Sequence, residues 1–389
     1  MGVMYTRDLQ PSNKSFFLFG PRGTGKSTWL REVLPDAHTI DLLSSSVCLQ
    51  YQKNPSLLKS EVNALEKNRW VVIDEIQKVP ELLDEVHSLI ENDGYKHFVL
   101  TGSSARKLKR GAANMLAGRA RMKSMFALNA HETNFSVSAD QRMKFGMLPI
   151  SVSMESGEEK EDYLQSYVET YLNEEIKAEG LTRNLGSFAR FLEVAALSAG
   201  TQVNISGLAR DAGIGRDTVR GYFSVFEDTL LGSWLPAYKP RAKIKEAAAP
   251  KFYWFDSGVL NAAVGAFKQP MPSDWMGVLF EHTVHHEIAS YLAYSGTKGS
   301  LGFWRTPSGS EIDFIWWYGS KAVAVEVKAS KEFRKDFLKG IRAFSEQIQL
   351  DSSYVVYNGD KELSVEGTWI LPFKSFAKRL HAGEIFACR

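Results

Sequence analysis

The sequence predicts an α/β protein with a parallel central sheet, followed by a helical stretch and a second α/β region. Three observations predict it. Phe16-Phe17-Leu18-Phe19, Trp70-Val71-Val72-Ile73 and Phe98-Val99-Leu100 are short runs that are apolar at every position. Continuous rather than alternating apolar character suits strands covered on both faces, as in a parallel sheet. Each run ends in residues suited to phosphate or a hard cation: Gly20, Asp74-Glu75 and Thr101 respectively.

The first strand runs into Gly20-Pro21-Arg22-Gly23-Thr24-Gly25-Lys26-Ser27-Thr28, which matches G-x-x-x-x-G-K-[ST] at every specified position. Each residue type has a task at its spacing. The glycines let the chain turn tightly and bring N–H groups up to a triphosphate. Lys26 is placed to reach the β and γ oxygens and Ser27 to ligate Mg²⁺. The helix from Ser27 to Val33 then aims its positive end at the anion. The whole segment Gly20–Thr28 is the expected ATP cradle.

At the carboxyl end of the second strand, Asp74 is expected to hold Mg²⁺ through its water shell, and Glu75 to polarise the attacking water. Phosphoryl transfer needs positioning and charge neutralisation more than covalent help, so these few groups suffice. The plain alternative is that Asp74-Glu75 only opens a helix over Val79–Ile90. At the third strand, Thr101 or Ser103 is expected to lie between the other two strand ends and sense the γ-phosphate; a simple turn is the bland reading.

These motifs, in this order, resemble AAA+ ATPases. Gly20–Thr28, Val72-Ile-Asp-Glu-Ile-Gln77, Leu100-Thr-Gly-Ser-Ser104 and Leu116-Ala-Gly-Arg119 are more closely similar to the bacterial and archaeal ATPases with a C-terminal DUF4143 region. The likeness continues through Gly146-Met-Leu-Pro149 and Tyr167-Val-Glu-Thr-Tyr171 into the last third of the chain. It implies a P-loop AAA+ core and ATP hydrolysis, and little about biology.

Length and composition are consistent with this. A chain of 389 residues makes two to three domains. The expected segments are a core over 1–145, a helical lid with a winged helix over 146–265, and a nuclease-like region over 266–389. The start has no apolar signal core, and no window approaches the ~20 apolar residues of a membrane span. Cys48 and Cys388 stand at opposite ends and read as free thiols. A cytoplasmic protein with no membrane partner is therefore expected.

The net charge of +2 hides a local asymmetry. From Tyr95 to Ala130 there is no Asp or Glu, while Lys96, Arg106, Lys107, Lys109, Arg110, Arg119, Arg121 and Lys123 accumulate. One reading is a homo-oligomer in which an arginine reaches a neighbour's nucleotide, an effect worth about 10³–10⁵ in turnover. Arg119, in the Leu-Ala-Gly-Arg pattern, is the residue chosen over Arg106 and Arg121. The others are a nucleic-acid track or a merely solvated basic face.

Helical spacing of Tyr163, Tyr167, Val168, Tyr171 and Ile176 predicts a helix over Glu158–Glu179, with another over Leu185–Leu197, as a lid. Then Ser206 to Phe223 reads as helix, Gly-Ile-Gly turn, helix, with Ser206 as N-cap, Ala209 and Val219 inward and Ile214 plugging the turn. Two strands, Leu230–Tyr238 and Pro250–Asp256, flank a basic tip at Lys239, Arg241, Lys243 and Lys245. Together these read as a winged helix with DNA as expected partner, Arg216 and Arg220 approaching a groove. The alternative is a winged helix that packs only on protein.

In the last third, Asp313 lies on one strand and Glu326 and Lys328 on the next. Period-two alternation puts Glu326 and Lys328 on one face, and the helix Gly277–Tyr291 adds Glu281. The set resembles the PD-(D/E)XK nuclease fold, which implies that Glu281, Asp313 and Glu326 hold Mg²⁺ while Lys328 stabilises the attacking hydroxide. Hard oxygen ligands suit that ion. A helix over Lys331–Gln349 and a parallel strand Ser353–Tyr357 complete the expected restriction-endonuclease-like α/β/α core.

The combined expectation is a Mg²⁺-dependent ATPase with Lys26, Ser27, Asp74 and Glu75 at its centre, coupled to DNA binding and phosphodiester cleavage. The alternative is an ATP-controlled switch whose nuclease-like region only docks partners. A small-molecule kinase is disfavoured, since it leaves the helix-turn-helix unexplained.

Overall fold

The computed structural model describes residues 5–92, 94–95, 97–102, 120–172, 185–239 and 249–386. Ser103, Arg106, Arg119 and the tip residues Arg241, Lys243 and Lys245 lie outside them. The chain forms two compact units, one of residues 9–126 with 225–231 and one of residues 1–8, 127–224 and 232–389.

The first unit follows the apolar runs. Its strands are β1 (Phe16–Phe19), β2 (His38–Asp41), β3 (Val71–Asp74), β4 (Phe98–Gly102) and β5 (Arg121–Ser124). They pair in parallel in the order β2-β3-β4-β1-β5. β1, β3 and β4 are buried throughout, as their unbroken apolar character requires. Between them run α1 (Lys26–Val33), α2 (Ser45–Lys53), α3 (Leu57–Asn63) and α4 (Leu82–Glu91). Phe17, Phe19, Ile73, Val86, Leu89 and Leu100 belong to one core cluster. β4 lies between β1 and β3, so its end sits between the other two strand ends, as expected. α4 starts three residues later than Val79. Val79 precedes Pro80, which disfavours helical backbone there, and a 3₁₀ turn over Ile76–Lys78 comes first.

The second unit begins with α5 (Ala139–Phe145), α6 (Pro149–Ser153) and α7 (Gly157–Ser166). α7 continues as a π-helix over Tyr167–Leu172, so the single helix expected to Glu179 is replaced at least this far; residues 173–184 lie outside the described set. Next come α8 (Leu185–Leu197), α9 (Ile205–Ala212) and α10 (Arg216–Asp228). Asn204, not Ser206, caps α9: its side chain accepts the Gly207 N–H at 3.0 Å, because the helix starts two residues earlier than read. Ala209 and Val219 are buried and Ile214 half-buried. β6 (Gly232–Leu235) and β7 (Lys251–Trp254) pair antiparallel.

After α11 (Ser257–Ala263) and α12 (Trp275–Ser295) come β8 (Ser300–Arg305), β9 (Glu311–Tyr318), β10 (Lys321–Lys328), β11 (Ser352–Tyr357), β12 (Leu363–Val365) and β13 (Thr368–Pro372). They form a six-stranded mixed sheet in the order β12-β13-β11-β10-β9-β8. β10 pairs antiparallel with β9 and parallel with β11. The helix expected over Lys331–Gln349 is shorter: a 3₁₀ turn at Lys335–Leu338, then α13 (Lys339–Ser345). The Ser330 hydroxyl accepts the Glu332 N–H at 3.2 Å, a local bond that competes with helix nucleation. Phe337, Leu338, Ile341 and Phe344 still pack on the sheet with Ile315 and Val355. α14 (Phe373–His381) follows.

The division differs from boundaries after residues 145 and 265. Residues 127–145 belong with the C-terminal sheet. The reason is Glu287 of α12, fully buried, which accepts the Ala130 N–H at 2.8 Å and pairs with Arg142 at 3.2 Å and His381 at 2.7 Å. A buried carboxylate needs such donors, wherever in the chain they come from. Asp256 acts likewise, accepting from Met147 N at 2.6 Å while capping α11 through Val259 N at 3.0 Å.

Candidate functional site

The loop after β1 has the backbone its glycines allow. Gly23 and Gly25 take φ of 82° and 94°, a region costly for other residues. A Cβ on Gly20 would stand 2.5 Å from the Met125 carbonyl oxygen. Lys26, buried, folds back over the loop and donates to the carbonyls of Gly20 at 2.7 Å and Pro21 at 3.2 Å. Thr24 braces the turn by donating to Pro21 O at 2.8 Å. Arg22 and Thr28 are exposed and Ser27 half-buried.

The β3 and β4 ends meet Ser27 beneath the loop. Ser27 Oγ donates to Asp74 Oδ2 at 2.7 Å, and the Thr101 hydroxyl donates to Asp74 Oδ1. Thr101 Oγ1 in turn accepts the Glu75 N–H at 3.2 Å. Thr101 is thus engaged with Asp74. Glu75 adopts φ 61°, which swings it off the strand direction, and its carboxylate accepts from the Gln77 amide. One hydroxyl and one carboxylate, both hard oxygen donors held together by the sheet, are the donor set that suits Mg²⁺. Arg121 and Lys123 lie on the edge strand β5, Arg121 exposed and Lys123 half-buried; charged edges of this kind also discourage strand addition.

In the second unit the expected C-terminal set does converge. Lys328 Nζ donates to Glu326 Oε1 at 2.5 Å. Asp313 Oδ2 accepts the Val327 N–H at 2.8 Å. Glu326 Oε2 is buried with no hydrogen-bond partner among the described residues. Three residues that sequence reading missed complete the cluster. Lys251 of β7, with a side chain only 5% exposed, lies 3.0 Å from Glu281, 2.6 Å from Glu311 and 4.0 Å from Asp313. Tyr253, two residues along the same strand, donates its hydroxyl to Glu281. The available signal was Lys251 beginning an otherwise aromatic strand, on the face it shares with Tyr253.

Electrostatics follow from burial. Four carboxylates face two ammonium groups and the Arg305 guanidinium, 3.4 Å from Glu311, so the cluster is one positive charge short. Burial, reinforced by Asp313, pushes Glu326 well above the usual carboxylate range against the pull of Lys328. Burial works to lower Lys328, but Glu326 and Asp313 hold it up to about 12. For Lys251 the carboxylates likewise outweigh burial and raise it. A cluster of oxygen donors deficient in cationic charge fits a hard divalent ion.

Glu281 is pushed up to about 7 by burial and by Asp313, with Lys251 opposing. Its folded pKa lies above the ordinary 4.5, so its contribution to stability is full below pH 4.5 and lost as pH rises through about 7. His282 works the other way: burial lowers it from 6.5 to about 4, and its contribution is lost as pH falls across that span. Glu281→Gln is therefore expected to reduce the loss of stability on the alkaline side, where Glu326 also contributes, while keeping the acid-side loss. Urea midpoints between pH 4 and 8 test this; an unchanged alkaline slope would show Glu281 ionised throughout.

On the helix-turn-helix, Arg216 and Arg220 are exposed, and Arg220 pairs with Asp217 at 2.8 Å. No helix among the described residues is long and apolar enough to cross a membrane.

The parallel sheet and its glycine loop define a P-loop protein of the nucleotide-binding class. Family comparison agrees with that placement: an AAA domain matches residues 12–134, a domain of unknown function (DUF8612) residues 137–270, and a second (DUF4143) residues 276–376. The chain carries an AAA domain and a C-terminal DUF4143 domain, as the sequence motifs implied. Two uncharacterized proteins, from Mycobacterium bovis and Mycobacterium tuberculosis, are each 24% identical over 356 residues, 90% of this chain and 78% of theirs. Among solved structures, Leishmania donovani UMP synthase gives a TM-score of 0.25 at 11% identity, covering 88% of this chain and 86% of that one. A Vibrio cholerae protein gives 0.21 at 10% identity, covering 95% and 96%. Such scores bear on neither fold nor function.

Proposed function

We propose that the protein is a Mg²⁺-dependent ATPase that couples its nucleotide state to DNA binding through the helix-turn-helix and hairpin, and to phosphodiester cleavage at the C-terminal cluster. The observation that carries the ATPase reading is the chain Ser27–Asp74–Thr101 beneath the glycine loop. It joins the first turn of α1 to the ends of β3 and β4, which supports a phosphate-bound cation held there. ATP with Mg²⁺ supplies the phosphoanhydride and the charge-neutralising cation. Lys26 neutralises phosphate oxygens, Ser27 and Asp74 position the cation, and Glu75 orients water. Ser103 as γ-phosphate sensor and Arg119 acting in trans within a homo-oligomer complete the proposal.

For cleavage, the support is Glu326 Oε2, a buried acceptor beside Lys328 with no hydrogen-bond partner among the described residues. Glu281, Asp313 and Glu326 would hold Mg²⁺, and Lys328 would stabilise hydroxide attacking phosphorus. One observation favours a second reading, an ATP-controlled switch with a docking module: Lys251 already stands among Glu281, Glu311 and Asp313.

Supercoiled plasmid incubated with protein and Mg²⁺ separates the two. The nuclease reading expects nicks that fall by at least about 10² in Glu326→Ala or Lys328→Ala, as for loss of a charge-stabilising group. It also expects DNA affinity to rise steeply as salt falls. No nicking by the wild type, or nicking that survives both substitutions, assigns the cluster to docking.

A further inference from the structure

A second side-chain cluster lies apart from both sites in sequence and chemistry. Asp8, His131 and His381 each offer one ligand atom, a carboxylate oxygen or a ring nitrogen, and these atoms lie within 4.8 Å of one another. His131 Nδ1 stands 2.6 Å from Asp8 Oδ1, and His381 Nδ1 stands 3.6 Å from Asp8 Oδ2. The two imidazoles stack, with ring centroids 5.5 Å apart.

What distinguishes this trio from a chance surface group is the support behind it. His381, nearly buried, is held through Nε2 by the fully buried Glu287 at 2.7 Å. That bond orients the ring, with Nε2 on Glu287 and Nδ1 turned toward Asp8. A carboxylate behind a ligating imidazole is the arrangement that orients metal-binding histidines. Asp8 is held equally firmly. Its Oδ2 accepts from Asn129 Nδ2 at 2.9 Å, and its backbone N–H donates to the buried Glu132 at 2.8 Å. Glu132 also accepts the Asn129 N–H at 3.0 Å, which fixes the turn carrying His131. Two buried carboxylates therefore place all three donors.

Arg7 pairs with Glu132 at 2.9 Å and Arg142 with Glu287 at 3.2 Å, so both supporting carboxylates are themselves anchored. His381 Nδ1 and Asp8 Oδ2 stand 3.6 Å apart, longer than a hydrogen bond.

We propose that Asp8, His131 and His381 form a transition-metal site of the Zn²⁺ class, tying residues near the N-terminus to the 129–135 turn and the C-terminal helix. Two imidazoles and one carboxylate select Zn²⁺, Co²⁺ or Fe²⁺ over Mg²⁺ and Ca²⁺, which prefer all-oxygen sets. Donor atoms in a tetrahedral Zn²⁺ site are about 3.3 Å apart, so closure needs side-chain rotation only. His131 is half exposed, which leaves the fourth position to water.

Full-length protein stripped with chelator and titrated with Zn²⁺ by calorimetry, and with Co²⁺ by visible absorption, tests this. One Zn²⁺ per chain is expected, uncompeted by excess Mg²⁺. Affinity should fall at least roughly tenfold in His131→Ala, as for loss of a ligand, and be retained in Glu326→Ala. Because His131 lies on the surface, that variant is expected to fold, and circular dichroism verifies it; Asp8→Asn is the second probe. The assignment is overturned by no Zn²⁺ uptake in the wild type. It is equally overturned by uptake that is undiminished in both His131→Ala and Asp8→Asn.

Discussion

Lys26→Ala is expected to abolish ATP binding and hydrolysis while leaving the first unit folded. Lys26 donates to the carbonyls of Gly20 and Pro21, bonds whose loss costs about 1–3 kcal/mol. In the nucleotide complex the same ammonium faces phosphate oxygens in a buried setting. Truncating a partner of a buried charge pair costs about 2–5 kcal/mol, or roughly 30- to 5,000-fold in affinity. Calorimetry with ATP and Mg²⁺ reads this directly. Glu75→Gln is the contrast, because it keeps binding and slows turnover by about 10²–10⁴, the usual range for a lost general base. Binding untouched in Lys26→Ala would sink the nucleotide assignment, and hydrolysis untouched in Glu75→Gln would move the base elsewhere.

Lys251→Met is expected to have the largest effect on stability. The substitution keeps an unbranched chain only one atom shorter and removes a buried ammonium from Glu281, Glu311 and Asp313. Breaking a buried ion pair from one side costs about 3–5 kcal/mol, because the partner charges stay behind. The carboxylates can relieve this by taking up protons. Glu281, already pushed up to about 7 by burial and Asp313, would rise further without Lys251. A folded pKa above the unfolded one means stability present at low pH and lost as pH rises, so the deficit should be smallest near pH 5 and grow through pH 7 to 8. Millimolar Mg²⁺ or Mn²⁺ should restore the variant more than the wild type. Urea unfolding across pH, with and without the ion, tests both claims. A variant as stable as the wild type at pH 8 would mean that Lys251 is not the counter-ion of the cluster.

The two sites were legible to different degrees. The positions of Gly20 and Asp74 were readable because each closes an apolar strand whose burial dictates its direction, and Gly25, Lys26 and Ser27 were readable from their fixed spacing after Gly20 into α1. Choosing between Thr101 and Ser103 was not possible from spacing; the Thr101 hydroxyl bonds Asp74, while Ser103 lies outside the described residues. Asp313, Glu326 and Lys328 were readable from period-two alternation on adjacent strands. Lys251, Tyr253 and Glu311 were not, since nothing local marks a lysine on a hairpin strand as the partner of carboxylates 30 to 62 residues away.

Local spacing thus decided the glycine loop, the parallel strands and the groups at their ends, because short-range backbone geometry and continuous apolar burial dictate them. Packing alone decided which charges are buried together. Glu287 drew Ala130, Arg142 and His381 to one point, and Lys251 went in among three carboxylates. The physical reason is that an ionised group removed from water must find its partners in space, and distance along the chain does not constrain where they come from.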